Sequence, residues 1–302
     1  MTQKEMKGKI TNNSNLPQVM VDVAENDTYT PIGDLGVTTL IDSPRIRVLK
    51  KHNEYTEDVL DLVWSIFGTA VHSIIERACE KHPDKYESEK QVSINVDGTI
   101  IGGTLDLYDK NTKKLQDFKV TTVWSVVYDD RKRHWSKQLN IYYYMLHKEG
   151  YDVDGISIIA ILKDWSAAQA NRGGDKYPNK QIVEIPIRQA PIERIEEYIR
   201  ERVKLHKDQE AIYLEKGEPE MDICTEEDRW AKQTKYAVKK DGRKTAIRVL
   251  DSMKEADEWI AEKGDPGEKL YIEVRKGEDI RCTQYCPVKE HCSYYKKTYG
   301  KR

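Results

Sequence analysis

The feature that most constrains the fold is a change of hydrophobic period just before residue 90. From Thr56 to Lys81, apolar residues fall at Val59, Leu60, Val63, Ile66, Phe67, Ala70, Val71, Ile74, Ile75 and Ala78. That spacing is close to 3.6 residues and predicts a helix. Gly68 falls inside the pattern and marks a junction between two helical segments. Beyond it the period drops to two. Lys90 to Val96, an Asp97-Gly98 turn and Thr99 to Tyr108 predict a hairpin, and Lys113 to Val120 a third strand. An amphipathic helix follows at Ser136 to Lys148, then a buried-type strand at Gly155 to Lys163. Gln181 to Ile187 alternates as a strand, and Pro191 to Leu214 is a long charged helix. This order predicts an α/β core, a mixed central sheet flanked by helices.

At 302 residues the chain is long enough for about two domains. Residues 1–28 are polar and are expected to be flexible. Tyr29 to Lys51 is read as a lead-in with turns at Gly33, Gly36 and Pro44, and the core is assigned to 29–219. After Pro219 the character changes. Two strands around the Lys240-Asp241-Gly242 turn, a helix capped by Ser252 and a strand at Leu270 to Val274 predict a small ββαβ insertion, about 231–280, inside a C-terminal domain of 220–302. With 34% charged residues and no apolar run near the roughly 18 residues of a spanning helix, no membrane partner is expected. The N-terminal residues lack the apolar stretch of a secretory signal, so a cytoplasmic protein is expected. The net charge of −2 excludes a wholly basic nucleic-acid coat protein but leaves room for a local basic groove.

The chemistry is concentrated between Gly102 and Tyr144. Asp117 and Lys119 alternate onto one strand face. A tight turn centred on Asn111-Thr112 places Asp106 opposite Asp117, because both are equidistant from that centre. Two converging carboxylates are hard oxygen ligands that suit Mg²⁺ or Mn²⁺. A neighbouring lysine can orient an attacking water and offset charge in the transition state. Gln138 and Tyr142 lie four apart on one helix face. His72 sits on the apolar helix, and imidazole suits Mn²⁺ better than Mg²⁺.

In chain order, His72, Asp106, Asp117-Phe118-Lys119 and Gln138-Leu139-Asn140-Ile141-Tyr142 resemble the PD-(D/E)XK nuclease superfamily, in its RecB-type branch. The resemblance covers about residues 65–165. It implies a restriction-endonuclease-like core and metal-dependent cleavage of DNA phosphodiesters. His72, Asp106 and Asp117 would be metal ligands, with the Val120 carbonyl as a further one. Lys119 would be the catalytic lysine, and Gln138 and Tyr142 would organise DNA or the site. Asp117 stands where that family more often has Glu, which shortens the ligand by a methylene.

Cys282, Cys286 and Cys292 lie within eleven residues, and Cys224 is a fourth thiol far upstream. Thiols clustered in a reducing compartment favour metal over disulfides, and four thiolates suit an iron–sulfur cluster or a tetrahedral zinc. The layout resembles the iron–sulfur nucleases of the same branch, including CRISPR-associated exonucleases, which implies [4Fe–4S] with Zn²⁺ as the alternative. In those relatives the distant cysteine precedes the nuclease core, whereas Cys224 follows it. The fifth thiol, Cys79, is assigned to the core.

Arg131, Arg133 and Lys137 flank Trp135 ahead of the Gln138 helix, and Arg45 precedes the apolar helix. Cations for phosphates and aromatics for bases make these the candidate DNA contacts. The expectation is a cytosolic, metal-dependent DNA exonuclease of recombination, repair or phage DNA processing, with DNA and a recombination or helicase protein as partners. The rivals are a catalytically silent DNA-binding scaffold and a structure- or site-specific endonuclease.

Overall fold

The computed structural model describes residues 8–26, 32–128, 132–172, 174–265 and 267–300. The chain divides into two compact units, Met1–Glu220 and Met221–Arg302.

The first unit opens with β1 (Lys9–Thr11) and α1 (Gln18–Asn26). The expectation of a loose N-terminus fails for these residues. Val21 and Ala24 of α1 bury against Val59, with Ile10, Leu62 and Ile66 packed around them. Next come β2 (Leu35–Gly36), α2 (Val37–Ile41), α3 (Pro44–His52) and β3 (Thr56–Asp58), the last pairing parallel with β1. The lead-in is therefore helical, where turn residues predicted turns. Pro44 sits at the start of α3, where its missing N–H costs nothing.

Helix α4 (Val59–Cys79) is continuous through Gly68. By length and composition alone it is apolar enough to cross a membrane, contrary to expectation, and among the described residues it is the one such helix. It packs on α1 and on the sheet. Only Val59 and Cys79 are fully buried, while Leu60, Trp64, Phe67 and Ile74 face outward.

The strands that follow are β4 (Tyr86–Val96), β5 (Thr99–Asp109) and β6 (Lys114–Thr121). Short α5 (Val123–Val127) and long α6 (Lys132–Lys148) lead to β7 (Gly155–Leu162). Then come α7 (Ala167–Ala170), β8 (Ile182–Ile187) and α8 (Ile192–Lys216). The six-stranded sheet is mixed: β6 and β7 run parallel, as do β2 and β5, and the other pairs are antiparallel. Leu105, Leu115 and Ile158 of the sheet, Leu139 and Met145 of α6 and Ile199 of α8 meet in one core. This is the expected α/β class with a mixed sheet flanked by helices.

In the second unit, α9 (Glu226–Arg229) and β9 (Ala231–Lys232) precede β10 (Lys235–Lys240) and β11 (Arg248–Leu250). They are followed by α10 (Met253–Lys263), β12 (Leu270–Arg275), β13 (Glu278–Asp279) and α11 (Ser293–Tyr299). The strand order is β11-β10-β12, with α10 packed on β10 and β11. Glu278 pairs with Lys232 and Asp279 with Ala231, so a two-stranded ladder draws together the ends of the insertion.

Candidate active site

Strand β5 carries β4 along one edge. Its other edge is shared, with β6 at residues 107–109 and β2 at 101–102. Between these contacts β6 leaves β5 and continues to Thr121 on β7 alone. The separation forms a fork, and Phe118 presents its backbone to it. A free strand edge needs partners. Asp106 Oδ2 accepts the Phe118 N–H at 2.7 Å, and His72 Nε2 lies 3.2 Å from the Phe118 carbonyl. Since the carbonyl can only accept, Nε2 carries the proton. His72 Nδ1 then faces Glu89 Oε1 at 3.5 Å and Asp106 Oδ2 at 3.6 Å.

Register explains the convergence. The pair Leu107↔Gln116, carried one rung on, sets Asp106 opposite Asp117. The pairs Ser88↔Leu107 and Lys90↔Leu105 bracket a rung that sets Glu89 opposite Asp106. Three carboxylates therefore stand in a row across β4, β5 and β6. Glu89 has φ +47°, a left-handed conformation that side chains other than glycine rarely adopt.

The electrostatics follow from the crowding. Burial, then repulsion from Asp117, pushes the Asp106 carboxyl up to about 7, against the pull of Lys119, His72 and the Phe118 N–H. Glu89 foremost, and then Asp106, raise His72 above its ordinary value in spite of burial and Lys119. Burial disfavours the Lys119 charge, but Asp117 and Asp106 outweigh it and hold the ammonium above its usual range. Asp117 is 2% exposed, with Oδ2 in an ion pair 2.7 Å from Lys119 Nζ. Its Oδ1 is buried with no hydrogen-bond donor among the described residues. An orphaned carboxylate oxygen beside a second carboxylate that resists ionising fits a hard divalent cation. His72, Glu89 and Asp106 offer atoms all within 4.8 Å of one another, close enough to share one ion.

The structure thus brings together His72, Asp106, Asp117 and Lys119. The carbonyl against His72 is that of Phe118, whereas Val120 lines the adjoining groove. Tyr142 is buried on α6 against β5: a Cβ on Gly103 would come within 2.6 Å of its hydroxyl oxygen. This is why position 103 has no side chain. Gln138 is buried one turn earlier on α6. Glu89 was missed, yet the arithmetic that pairs Asp106 with Asp117 also pairs Glu89 with Asp106 about the Asp97-Gly98 turn.

Two expected DNA contacts are corrected. Arg45 is 2% exposed and forms an ion pair with Glu218, so its charge already has a buried partner. Trp135 is 5% exposed and belongs to the core. Arg133 is exposed and Lys137 half-buried on α6, while Arg131 lies outside the described residues.

None of the five cysteines forms a disulfide, and Cys79 is buried at the end of α4. In the second unit, burial and then the Cys224 thiol, followed by Asp279, Cys286 and Cys292, push the Cys282 thiol up to about 12. The four sulfurs therefore share one electrostatic neighbourhood. Around them, Asp279 accepts from the Tyr294 and Tyr299 hydroxyls at 2.7 and 3.1 Å and from Arg229 Nε at 3.1 Å.

No family model and no curated protein matches the chain. A solved structure described as the crystal structure of SSO0001 is similar at 18% identity and a TM-score of 0.43, over 62% of this chain and 85% of that one. A likeness this distant carries no argument about fold or function.

Proposed function

We propose that the chain is a divalent-metal-dependent deoxyribonuclease with a PD-(D/E)XK core of the RecB type, acting as an exonuclease. The observation that carries this reading is the fork itself: His72, Asp106, Asp117 and Lys119 converge in the chain order of that family, with one buried Asp117 oxygen left unsatisfied. His72, through Nδ1, Asp106 and Asp117 would hold Mg²⁺ or Mn²⁺, with Glu89 as a further acidic ligand and the Val120 carbonyl as the further oxygen that the resemblance implies. The cation, when bound, polarises the phosphodiester and lowers the pKa of a water. Lys119, held in place by Asp117, aligns the attacking water and offsets charge on the phosphoryl oxygens. Tyr142 fixes α6 against β5 three residues before Asp106 and so keeps that carboxylate in register.

In the second unit, Cys224, Cys282, Cys286 and Cys292 would hold [4Fe–4S], or zinc in its place, as a structural group. Such a group would suit a reducing compartment, and the reading takes DNA as substrate and a recombination or helicase protein as partner.

The test is digestion of end-labelled linear and closed circular DNA with Mn²⁺, Mg²⁺ or EDTA, using wild type and Lys119→Ala. The expected result is metal-dependent loss of linear DNA by wild type, a fall of at least about 10³-fold in Lys119→Ala, and intact circles. Discrete fragments from circles would make it an endonuclease. DNA binding with no cleavage under any condition would make it a scaffold.

A further inference from the structure

We propose that the groove leading from the fork along α4 holds a single nucleic-acid strand, with Trp64 as its base-stacking platform. The inference rests on the nuclease reading above and names the form of its substrate. A phosphodiester placed at the fork belongs to a polymer, which must leave by some path. The groove is continuous with the fork. Its volume is about 660 Å³, and His72, Lys119 and Val120 line it together with Trp64, Gly68 and Thr69.

Trp64, Gly68 and His72 lie four residues apart on one helix row. At 1.5 Å per residue, Trp64 stands about 12 Å along the axis from His72. Between them Gly68 leaves open space, since a Cβ there would meet nothing within 4 Å. Trp64 is 58% exposed, an unusual exposure for the largest side chain in the helix. Phe67 meets it edge-on at 6.3 Å, and Lys163 Nζ lies 3.2 Å from its ring centroid. Lys163 is itself placed by its N–H, which donates to the Thr121 carbonyl at the end of β6. Lys163 covers one face of the ring and the opposite face is the one proposed to take a base; that aromatic, its cation and a second lysine at the fork are the chemistry of sequence-tolerant strand binding. Interior pairs of a duplex cannot use this platform, because their base faces are already covered by neighbouring pairs. Glu57 and Glu89 also line the groove, so the attraction is local to the lysines rather than a uniform basic field.

Binding is measured by fluorescence anisotropy with labelled oligothymidylate and a labelled blunt duplex, in EDTA so that no divalent metal supports cleavage and Lys119 is kept. Wild type is compared with Trp64→Leu and Gly68→Leu. Each is expected to weaken single-strand binding about ten-fold, with Trp64→Phe restoring most of it. Gly68→Leu is expected to keep or raise the melting temperature, because leucine is the better helix former, which separates a blocked groove from a damaged fold. Unchanged single-strand affinity in both variants would overturn the proposal. So would Trp64-dependent binding to phosphatidylglycerol vesicles without strand binding, which would make this face a lipid contact. Metal-dependent cleavage by wild type together with unchanged affinity in the variants would sink the groove and leave the nuclease reading standing. Trp64-dependent strand binding by a protein that never cleaves would do the reverse.

Discussion

The two units hold themselves together by different means. The first buries Leu105, Leu115, Leu139, Met145, Ile158 and Ile199 almost completely in one core between sheet and helices. Each such side chain contributes about 1.5–3 kcal/mol, before chain entropy is set against it. The second spans residues 221–302, which is 302 − 221 + 1 = 82 residues, and buries mainly Met221, Ala237, Val238, Ala256 and Val288. Two of these are alanines. What it has instead is the Asp279 hub and four cysteines, three of them within eleven residues of sequence. A unit of this size with a thin core is where a metal staple contributes most. On the proposed reading, ionisable groups in the first unit are concentrated for chemistry, and in the second they would take the place of a core.

The contrast is tested most severely at Cys286. Structural metal binding to such a set is worth on the order of 10 kcal/mol, so Cys286→Ala should unfold the second unit while the sheet of the first still melts cooperatively. Limited proteolysis would release a fragment ending near residue 220, and a single cooperative melt at the wild-type temperature would refute the staple. Acid should weaken the first unit. His206 is fully buried, and burial, then Arg202 and Arg47, lower its pKa to about 4. The unfolded chain protonates near 6.5, before the folded one. The stability is therefore whole above 6.5 and is lost as pH falls through about 4, by about 3 kcal/mol in all. Denaturant titrations across that range check it, and His206→Gln should flatten the dependence.

Asp279→Asn removes the charge at the centre of the second unit's hub and should lower its stability by about 2 kcal/mol. An equal loss from Asn elsewhere on its surface would show that the hub is nothing special. The smallest effect is expected to have the opposite sign. Asp117→Asn relieves the repulsion that pushes Asp106 up, so it should abolish cleavage while raising the melting temperature by a few degrees. A lowered melting temperature would mean that the Asp117–Lys119 ion pair stabilises the fold more than the crowding destabilises it.

Much of the first unit was legible because its signals are local. The hairpin at Asp97-Gly98 and the strand from residue 114 follow from alternation and turn chemistry, and the ladder ends at Leu107↔Gln116 with Asp106 and Asp117 next in line, as turn arithmetic put them. Signals that depend on tertiary context were misread. Trp135 beside Arg131, Arg133 and Lys137 looks like a DNA contact, but its neighbours on α6 carry it into the core. Arg45 looks free until Glu218, 173 residues away, comes to meet it. Helix α4 shows the limit of periodicity itself. Its apolar residues surround most of the helix, so the pattern names a helix without saying which side the sheet covers. The thin core of the second unit left no hydrophobic pattern to read beyond its ββαβ order.

The fork also governs how a variant for testing the proposed nuclease should be made. Asp106 stands where a strand would otherwise satisfy Phe118, so its carboxylate serves as scaffolding apart from any metal it would bind. Truncating it would leave a backbone N–H stranded at the point where β6 parts from β5, and the altered bait would confuse lost chemistry with lost shape. Lys119 Nζ donates to Asp117 and not to that backbone edge, so its removal spares the Phe118 contacts while leaving the Asp117 carboxylate unpaired. A binding assay built on Lys119→Ala, or better on Lys119→Met, would keep the strand edge in place, and one built on Asp106→Ala would not.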